Sequence, residues 1–251
     1  MTNPHSDAAG EINYPSYLAL DELLRLQCPL SQPEHPDELL FIVVHQASEL
    51  WFKVLLHEFD AFIACLQAFD TPAALQSIKR INGLVNIITN QLSALDTLPP
   101  QRFAEFRGYL GQSSGSQSAQ FRAIEAVSGL RDDHFMQTIQ AHGNIPPAVQ
   151  RALSQPTLQA LFKALLDRHG VTIAQLYGAP GHTMLLLLAE ELLEYEQGFA
   201  RWRFLHVQLV ERIIGPGTTG TGGTLGAKYL AKTVNQRFFP DLWAVRATVY
   251  G

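Results

Sequence analysis

Hydrophobic residues recur three and four positions apart along almost the whole chain, with polar residues between them. This spacing places the apolar side chains on one face of an α-helix. Segments in which apolar and polar residues alternate between turn signals, as in a half-buried strand, are hard to find. The pattern therefore predicts an all-α fold, a helical bundle of long helices.

The two longest predicted helices lie in the first and last thirds of the chain. The last should run from about Thr183 to Ile214, because Gly215 and Pro216 then end it. The first should start near Asp37 and run to about Phe69. Its wide apolar face comprises Leu40, Val43, Val44, Ala47, Leu50, Trp51 and Val54.

Shorter elements are predicted between these helices. A second helix should cover Thr71 to Leu95, and the pair Pro99-Pro100 should precede a third that begins near Arg102. The Gly- and Ser-rich stretch from Leu110 to Gln120 is typical of an irregular loop or of a broken helix start. Residues 120–181 should form a smaller helical subregion within a single domain that spans residues 1–251. The apolar tail with the sequence FFPDLW should pack onto the body of the protein.

Composition narrows the classes of partner. The chain is 47% hydrophobic and only 16% charged, which predicts a sizeable core and some apolar surface covered by other subunits. A formal charge of −5 argues against a nucleic acid or an anionic membrane as partner. Apolar runs do not exceed six residues, the length of Met184 to Ala189, and are too short to span a bilayer. The two cysteines and the absence of a signal-peptide pattern favour the cytoplasm.

Two histidines differ from the others. Six of them, His35 included, have polar or turn-like neighbours in sequence, where we expect solvated side chains. His45 lies within the first long helix, with Phe41, Ser48 and Phe52 on its face, and His206 lies on an apolar stripe of the last helix. Either one alone is more typical of a hydrogen-bonded core histidine, but the pair is unusual.

The chemistry around these imidazoles favours heme over a protein-ligated metal. No Asp or Glu stands three residues before a histidine, as di-iron bundles require, and His57-Glu58 does not continue into a zinc-protease motif. Heme supplies four nitrogens itself and leaves one axial position to an imidazole. Arg107 could grip a carboxylate through two hydrogen bonds, although a surface arginine fits the same sequence. The glycine-rich stretch after Ile214 could bind an anion or act as a linker.

Four ordered segments resemble the tryptophan 2,3-dioxygenase family. DELLFIVVHQASELWFK, from Asp37 to Lys53, is similar to that family's distal-helix motif. The other matches are YPSYLALDELL, FRGYLGQSSGSQSAQFR, and WRFLHVQLVERIIG followed by TGTGG; the tail segment RFFPDLWAVR also resembles the family's closing segment. The resemblance extends from about Tyr14 to Arg246.

The resemblance implies a site in which heme b is bound between helices and O₂ is the co-substrate. His206 would be the proximal ligand of the heme iron, and Ser114, Gly115 and Trp202 would also contact the heme. His45 would be catalytic and meet the indole N–H. The substrate, tryptophan, would be bound by Phe41, Phe103, Arg107, Thr221, Tyr14 and Tyr17.

The resemblance also implies an assembly and a reaction. Tyr14 and Tyr17 would complete the site of a neighbouring subunit in a homotetramer. Both oxygen atoms would be inserted across the C2–C3 bond of the indole, giving N-formylkynurenine.

Departures from the family's pattern leave alternatives open. Phe103 stands where some bacterial members carry a tyrosine, Ser116 stands where a bulky apolar residue is common, and the middle region is short. These differences allow a second interpretation, a heme-dependent monooxygenase that converts a substituted tryptophan to a 2-oxindole in secondary metabolism. A third interpretation is a heme-binding or heme-sensing module without catalysis, for which a proximal ligand alone is enough.

Overall fold

The computed structural model describes residues 12–131, 133–140, 143–178, 180–218 and 227–249. Within these residues the regular structure is helical and contains no strand, which confirms the all-α prediction. Turns of 3-10 helix cover Leu92–Thr97, Gly108–Leu110 and Gly115–Gln117. The α-helices, in chain order, are α1 (Tyr14–Tyr17), α2 (Leu20–Leu23), α3 (Glu38–Gln67), α4 (Thr71–Gln91), α5 (Pro100–Arg107), α6 (Ala119–Ser128), α7 (Asp133–Gln140), α8 (Pro147–Ser154), α9 (Leu158–Arg168), α10 (Ile173–Gly178), α11 (Thr183–Ile214), α12 (Ala227–Thr233) and α13 (Pro240–Val249).

Most of the predicted helix boundaries agree with the structure. Helix α11 has the predicted ends, and α3 begins and ends close to the predicted positions. Helix α4 ends at Gln91, earlier than predicted, because the chain tightens into the 3-10 turn Leu92–Thr97. Leu92 and Leu95 of that turn are buried, so the apolar spacing continues past the end of the α-helix and conceals it.

Helices α3, α4 and α11 pack side by side around the main core. The contact between α4 and α11 is the most extensive in the described part of the chain. Gly198 of α11 makes this approach possible, because a Cβ atom there would lie 2.8 Å from Cγ1 of Val85. The shorter helices α6, α8 and α9 cover the core, and α6 and α9 pack against α3. The assignment of the whole chain to one domain stays a prediction.

The C-terminal segment packs down on α11, as predicted. Phe238, Phe239 and Leu242 are buried in the main core. Glu196 of α11, which is itself 1% exposed, anchors the segment. Its carboxylate accepts hydrogen bonds from the backbone N–H groups of Phe238 (2.6 Å) and Phe239 (2.8 Å), from Nη1 of Arg237 (3.1 Å), and from the indole N–H of Trp243.

The apolar face of α3 is wider than one core requires. Val43, Leu50 and Val54, which the sequence places on this face, are 43%, 51% and 39% exposed, and Leu39 on the same side is 46% exposed. The core side of the helix instead carries Val44, Phe52, Leu55 and Phe59. Helix α3 is also long and apolar enough to cross a membrane by length and composition. Its buried residues belong to the two apolar clusters of the protein.

The close crossing at Gly198 predicts a penalty for any added side chain. We expect Gly198→Ala to lower the free energy of unfolding by about 1–3 kcal/mol, because Val85 is 2% exposed and cannot move away. Gly83→Ala on α4 is the matched control: its Cβ meets no atom within 4 Å, so we expect a gain of about 0.5–1 kcal/mol. Urea titration of both variants measures these changes, and equal effects would contradict the packing argument.

The anchor at Glu196 predicts a large loss of stability when its carboxylate is removed. We expect Glu196→Ala to cost about 3–5 kcal/mol, because buried N–H donors and a cation lose their acceptor. Glu194→Ala on the same helix should cost less than about 1 kcal/mol, since Glu194 is half exposed and its ion pair with Arg201 is long, at 3.8 Å. Thermal and chemical unfolding of the two variants should differ accordingly; a small loss for Glu196→Ala would show that the tail docks by apolar contact alone.

Candidate active site

A second apolar cluster lies beside the main core, where three parts of the chain meet. Its members come from the first half of α3, from the 3-10 turn and α5, and from the last turns of α11. The buried members are Val44, Leu92, Leu95, Leu98, Phe103, Phe106, Leu209 and Ile213. Phe41 and Trp202 pack against this cluster, and each lies one helical turn before one of the two singled-out histidines. The cluster therefore joins the helices that carry His45 and His206.

His45 has a fixed tautomer in its neutral form. Its Nδ1 lies 2.7 Å from the carbonyl oxygen of Phe41, which can only accept a hydrogen bond, so Nδ1 carries the proton. Nε2 then keeps its lone pair and can accept a hydrogen bond. The ring packs against the ring of Phe41, with centroids 4.2 Å apart. Partial desolvation lowers the pKa of His45, although the hydrogen bond to Phe41 and the charge of Glu49 oppose this shift.

His206 is the more strongly perturbed of the two imidazoles. Its ring stacks on Trp202, with centroids 5.1 Å apart and planes at 27°. Burial, and after it repulsion from a charged His45, lowers the pKa of His206 to about 4. The apolar cluster shared by α3 and α11 joins the helices that carry the two rings, and the electrostatic effect agrees with this, so both imidazoles belong to one site. At neutral pH both rings are uncharged.

Aromatic rings from α3 and α5 form one wall of this site. Phe41 lies 5.5 Å from Phe103 and 5.8 Å from Phe106, and the last two meet edge to face at 5.3 Å. Phe103 is only 5% exposed, so its ring is part of the wall. Arg107 occupies the last turn of α5, one turn after Phe103, and is half-buried.

The loop between α5 and α6 is ordered by its own hydrogen bonds. Ser114 caps the 3-10 turn Gly115–Gln117, and its Oγ accepts from the backbone N–H of Ser116 at 3.3 Å. Gln120 ties the start of α6 to α3 through Glu49, with both contacts at 2.8 Å. Among the described residues, none of the hydrogen bonds of the turn reaches His45 or His206, so the expected contact of Ser114 and Gly115 with heme stays a prediction.

Two predicted substrate-binding residues lie apart from this group. Tyr14 and Tyr17 are in helix α1 and are 73% and 68% exposed. In the described part of the same chain, neither makes a ring contact with the aromatic wall. Thr221 lies outside the described residues.

The residues at this site fit a heme better than a bare metal ion. The described residues include no group of three or more His, Cys, Asp or Glu side chains that could hold a metal ion. His206 offers a neutral imidazole, the form that ligates iron, in an aromatic surround. The Nε1 of Trp202, stacked on that imidazole, is buried and has no hydrogen-bond partner among the described residues.

Sequence reasoning missed His35 at this site. We expected a solvated side chain, but the residue is 9% exposed, and its Nε2 lies 2.9 Å from Oε2 of Glu105. Its ring also packs on Phe106, with centroids 5.1 Å apart. The position just before the start of α3 was an available signal, because a ring nitrogen there can accept a hydrogen bond from a free helical N–H group.

Two surface cavities lie away from the two histidines. A cavity of about 280 Å³ is lined by residues that include Ser116, Arg122 and Val149, and another of about 260 Å³ lies between α9 and α13. Neither is lined by His45 or His206. The site is identified by the lowered pKa values of its two imidazoles and by its aromatic wall. Such chemical features indicate a functional site better than cavity volume does.

Comparison with known proteins agrees with this chemistry. The family described as tryptophan 2,3-dioxygenase matches residues 1–159 and 162–249. A tryptophan 2,3-dioxygenase of Herpetosiphon aurantiacus is 42% identical over 94% of this chain and 98% of the relative. Proteins of the same name from Kineococcus radiotolerans and Caulobacter vibrioides are 39% and 38% identical; these matches cover 97% and 95% of this chain and 93% and 98% of the relatives. The chain therefore belongs to the tryptophan 2,3-dioxygenase family.

Proposed function

We propose that this chain is a heme-dependent oxygenase that inserts both atoms of O₂ across the C2–C3 bond of the indole of L-tryptophan, giving N-formylkynurenine. The observation that carries the proposal is the pair of neutral imidazoles from α3 and α11 at one aromatic-lined site. Membership of the tryptophan 2,3-dioxygenase family supports it.

His206 is the proposed proximal ligand of the iron of heme b. Its low pKa supports this role, because an uncharged imidazole keeps the lone pair that binds iron throughout the neutral range. Trp202 holds the imidazole plane by stacking, and Ser114 and Gly115 are the proposed further contacts of the heme. Bound heme supplies the iron at which O₂ is activated.

His45 is the proposed catalytic residue and faces the indole. Because its Nδ1–H is held by the carbonyl of Phe41, its Nε2 is left to accept the hydrogen bond that an indole N–H donates. Phe41 and Phe103 line the ring pocket and keep water away from the reacting carbons. The imidazole thereby orients the substrate ring without a net charge of its own.

Arg107 and Thr221 are proposed to bind the amino-acid end of the substrate. A guanidinium can form two parallel hydrogen bonds with a carboxylate, which fixes direction as well as distance. The position of Arg107, one turn after the wall residue Phe103, supports this role. Fixing both ends of tryptophan sets the C2–C3 bond in one place for the reaction.

We propose further that the protein works as a homotetramer in the cytoplasm, with Tyr14 and Tyr17 completing the site of a neighbouring subunit. The exposure of both tyrosines supports this arrangement. So does the apolar stripe Leu39, Val43, Leu50 and Val54 on α3, which leaves a row of large side chains open to solvent in a single subunit.

The oxygen stoichiometry is tested by turnover under ¹⁸O₂. We expect the ferrous, heme-loaded protein to convert L-tryptophan to a product that carries two labelled oxygen atoms, measured by mass spectrometry. A product with one labelled atom, formed preferentially from a substituted tryptophan, would establish the monooxygenase interpretation instead. Background turnover with every indole tested would leave only a heme-binding module.

The roles of the two histidines are tested by separate substitutions. We expect His206→Ala to lose the Soret spectrum of an imidazole-ligated heme, because its iron ligand is gone. His45→Ala should keep that spectrum and lower kcat/KM for tryptophan about tenfold, since one substrate hydrogen bond is lost. Far-ultraviolet circular dichroism checks the fold of each variant. An unchanged heme spectrum in folded His206→Ala would contradict the assignment of the proximal ligand.

A further inference from the structure

Both ring nitrogens of the buried His35 are hydrogen-bonded. The backbone N–H of Asp37 donates to Nδ1 at 3.2 Å, so in the neutral ring Nδ1 carries a lone pair. Nε2 then carries the proton and donates to Oε2 of Glu105 at 2.9 Å. This geometry specifies one tautomer and links the start of α3 to α5.

Two contacts hold α5 on either side of Arg107. Glu105, two residues before Arg107, is bound by His35. Tyr109, two residues after it, donates from its hydroxyl to the carbonyl of Gln32 at 2.9 Å. Residues 32–35 therefore reach α5 and the turn that follows it at two points, and the guanidinium-bearing residue lies between them.

The segment that provides these contacts is itself fixed to α3. The carboxylate of Glu38 accepts from the backbone N–H groups of Leu30 at 2.8 Å and Ser31 at 3.0 Å. The hydroxyl of Ser31 in turn accepts from the backbone N–H of His35 at 2.8 Å. Helix α3 also carries Phe41 and His45. The segment therefore connects the helix that carries these two residues to α5.

Helix α5 needs such support because it is short. Eight residues do not form a stable helix alone, and packing must hold them in place. Phe103 and Phe106 anchor the buried side, and the half-buried Arg107 follows Phe103 by one turn, while Glu105 lies on the exposed side. Two-pronged recognition of a carboxylate tolerates errors of only about 0.5 Å in the supporting backbone.

We propose that His35 is a positioning residue, which through Glu105 sets Arg107 at the distance from His45 that tryptophan spans; this rests on the proposed function. His35 thereby determines selectivity for an indole that carries a carboxylate. The hydrogen bond between Tyr109 and Gln32 also helps to position Arg107. The side chain of Glu105 is 62% exposed, so the pair contributes little to global stability, and its effect falls on binding.

The test compares two ligands that differ in the carboxylate. The dissociation constants of L-tryptophan and of tryptamine, which lacks the carboxylate, are measured by calorimetry on heme-loaded protein, with kcat and KM for tryptophan. The variants are His35→Ala, Glu105→Ala and Tyr109→Phe. Gln101→Ala, at an exposed position of the same helix, is the matched control. His35→Gln is the conservative variant, because its amide nitrogen can replace Nε2 as donor to Glu105.

We expect each of the three variants to weaken the binding of L-tryptophan roughly two- to tenfold, the worth of one hydrogen bond, with tryptamine binding and kcat nearly unchanged. Gln101→Ala should match the wild type, and His35→Gln should recover most of the loss. His35→Ala and Glu105→Ala together should weaken binding no more than either alone, because they remove the same contact.

Four results would overturn the proposal. If the binding of tryptophan and of tryptamine is weakened equally, His35 supports the whole pocket. If tryptophan binding is unchanged in Tyr109→Phe and Glu105→Ala, Arg107 needs no such support. A wild-type protein without turnover of tryptophan would refute the proposed function and the positioning role together. If the wild type turns over tryptophan and the variants bind it as tightly as the wild type does, only the positioning role is refuted.

Discussion

The proximity of two uncharged imidazoles, one on α3 and one on α11, is the constraint on which the rest of the site depends. Burial and mutual repulsion both disfavour a charged His206, so the ring stays neutral without any catalytic partner. The carbonyl oxygen of Phe41 accepts a hydrogen bond from Nδ1 of His45, so Nε2 keeps its lone pair. Each histidine therefore presents a lone pair, one suited to iron and one suited to an N–H donor.

Helix packing away from the site makes this arrangement of the two imidazoles possible. Gly198 lets α11 approach α4 closely, and Glu196 fixes the C-terminal segment to the same helix within a few residues. The second half of α11, which carries Trp202 and His206, thus projects from a rigid base toward α3 and α5. A site built on long, well-packed helices holds its geometry better than one built on loops.

Apolar and polar groups around the two histidines have different roles. Aromatic rings from α3 and α5 form the wall that excludes water, while the polar contacts of His35, Glu38 and Tyr109 lie behind that wall and fix the backbone. The exposed apolar stripe on α3 lies on the other side of the same helix. One helix therefore contributes to the core and to the site, and it leaves an apolar surface exposed.

The sequence by itself determined the helical class, the ends of α11, the docking of the tail and the family, because helical periodicity, Gly-Pro stops and long motifs are local signals. It also singled out His45 and His206. Only the tertiary structure decided which side of α3 faces the core, since the helix is apolar on two sides and its periodicity is the same for either. The contact of His35 with Glu105 likewise joins residues seventy positions apart along the chain, and no local pattern encodes a contact made across that distance.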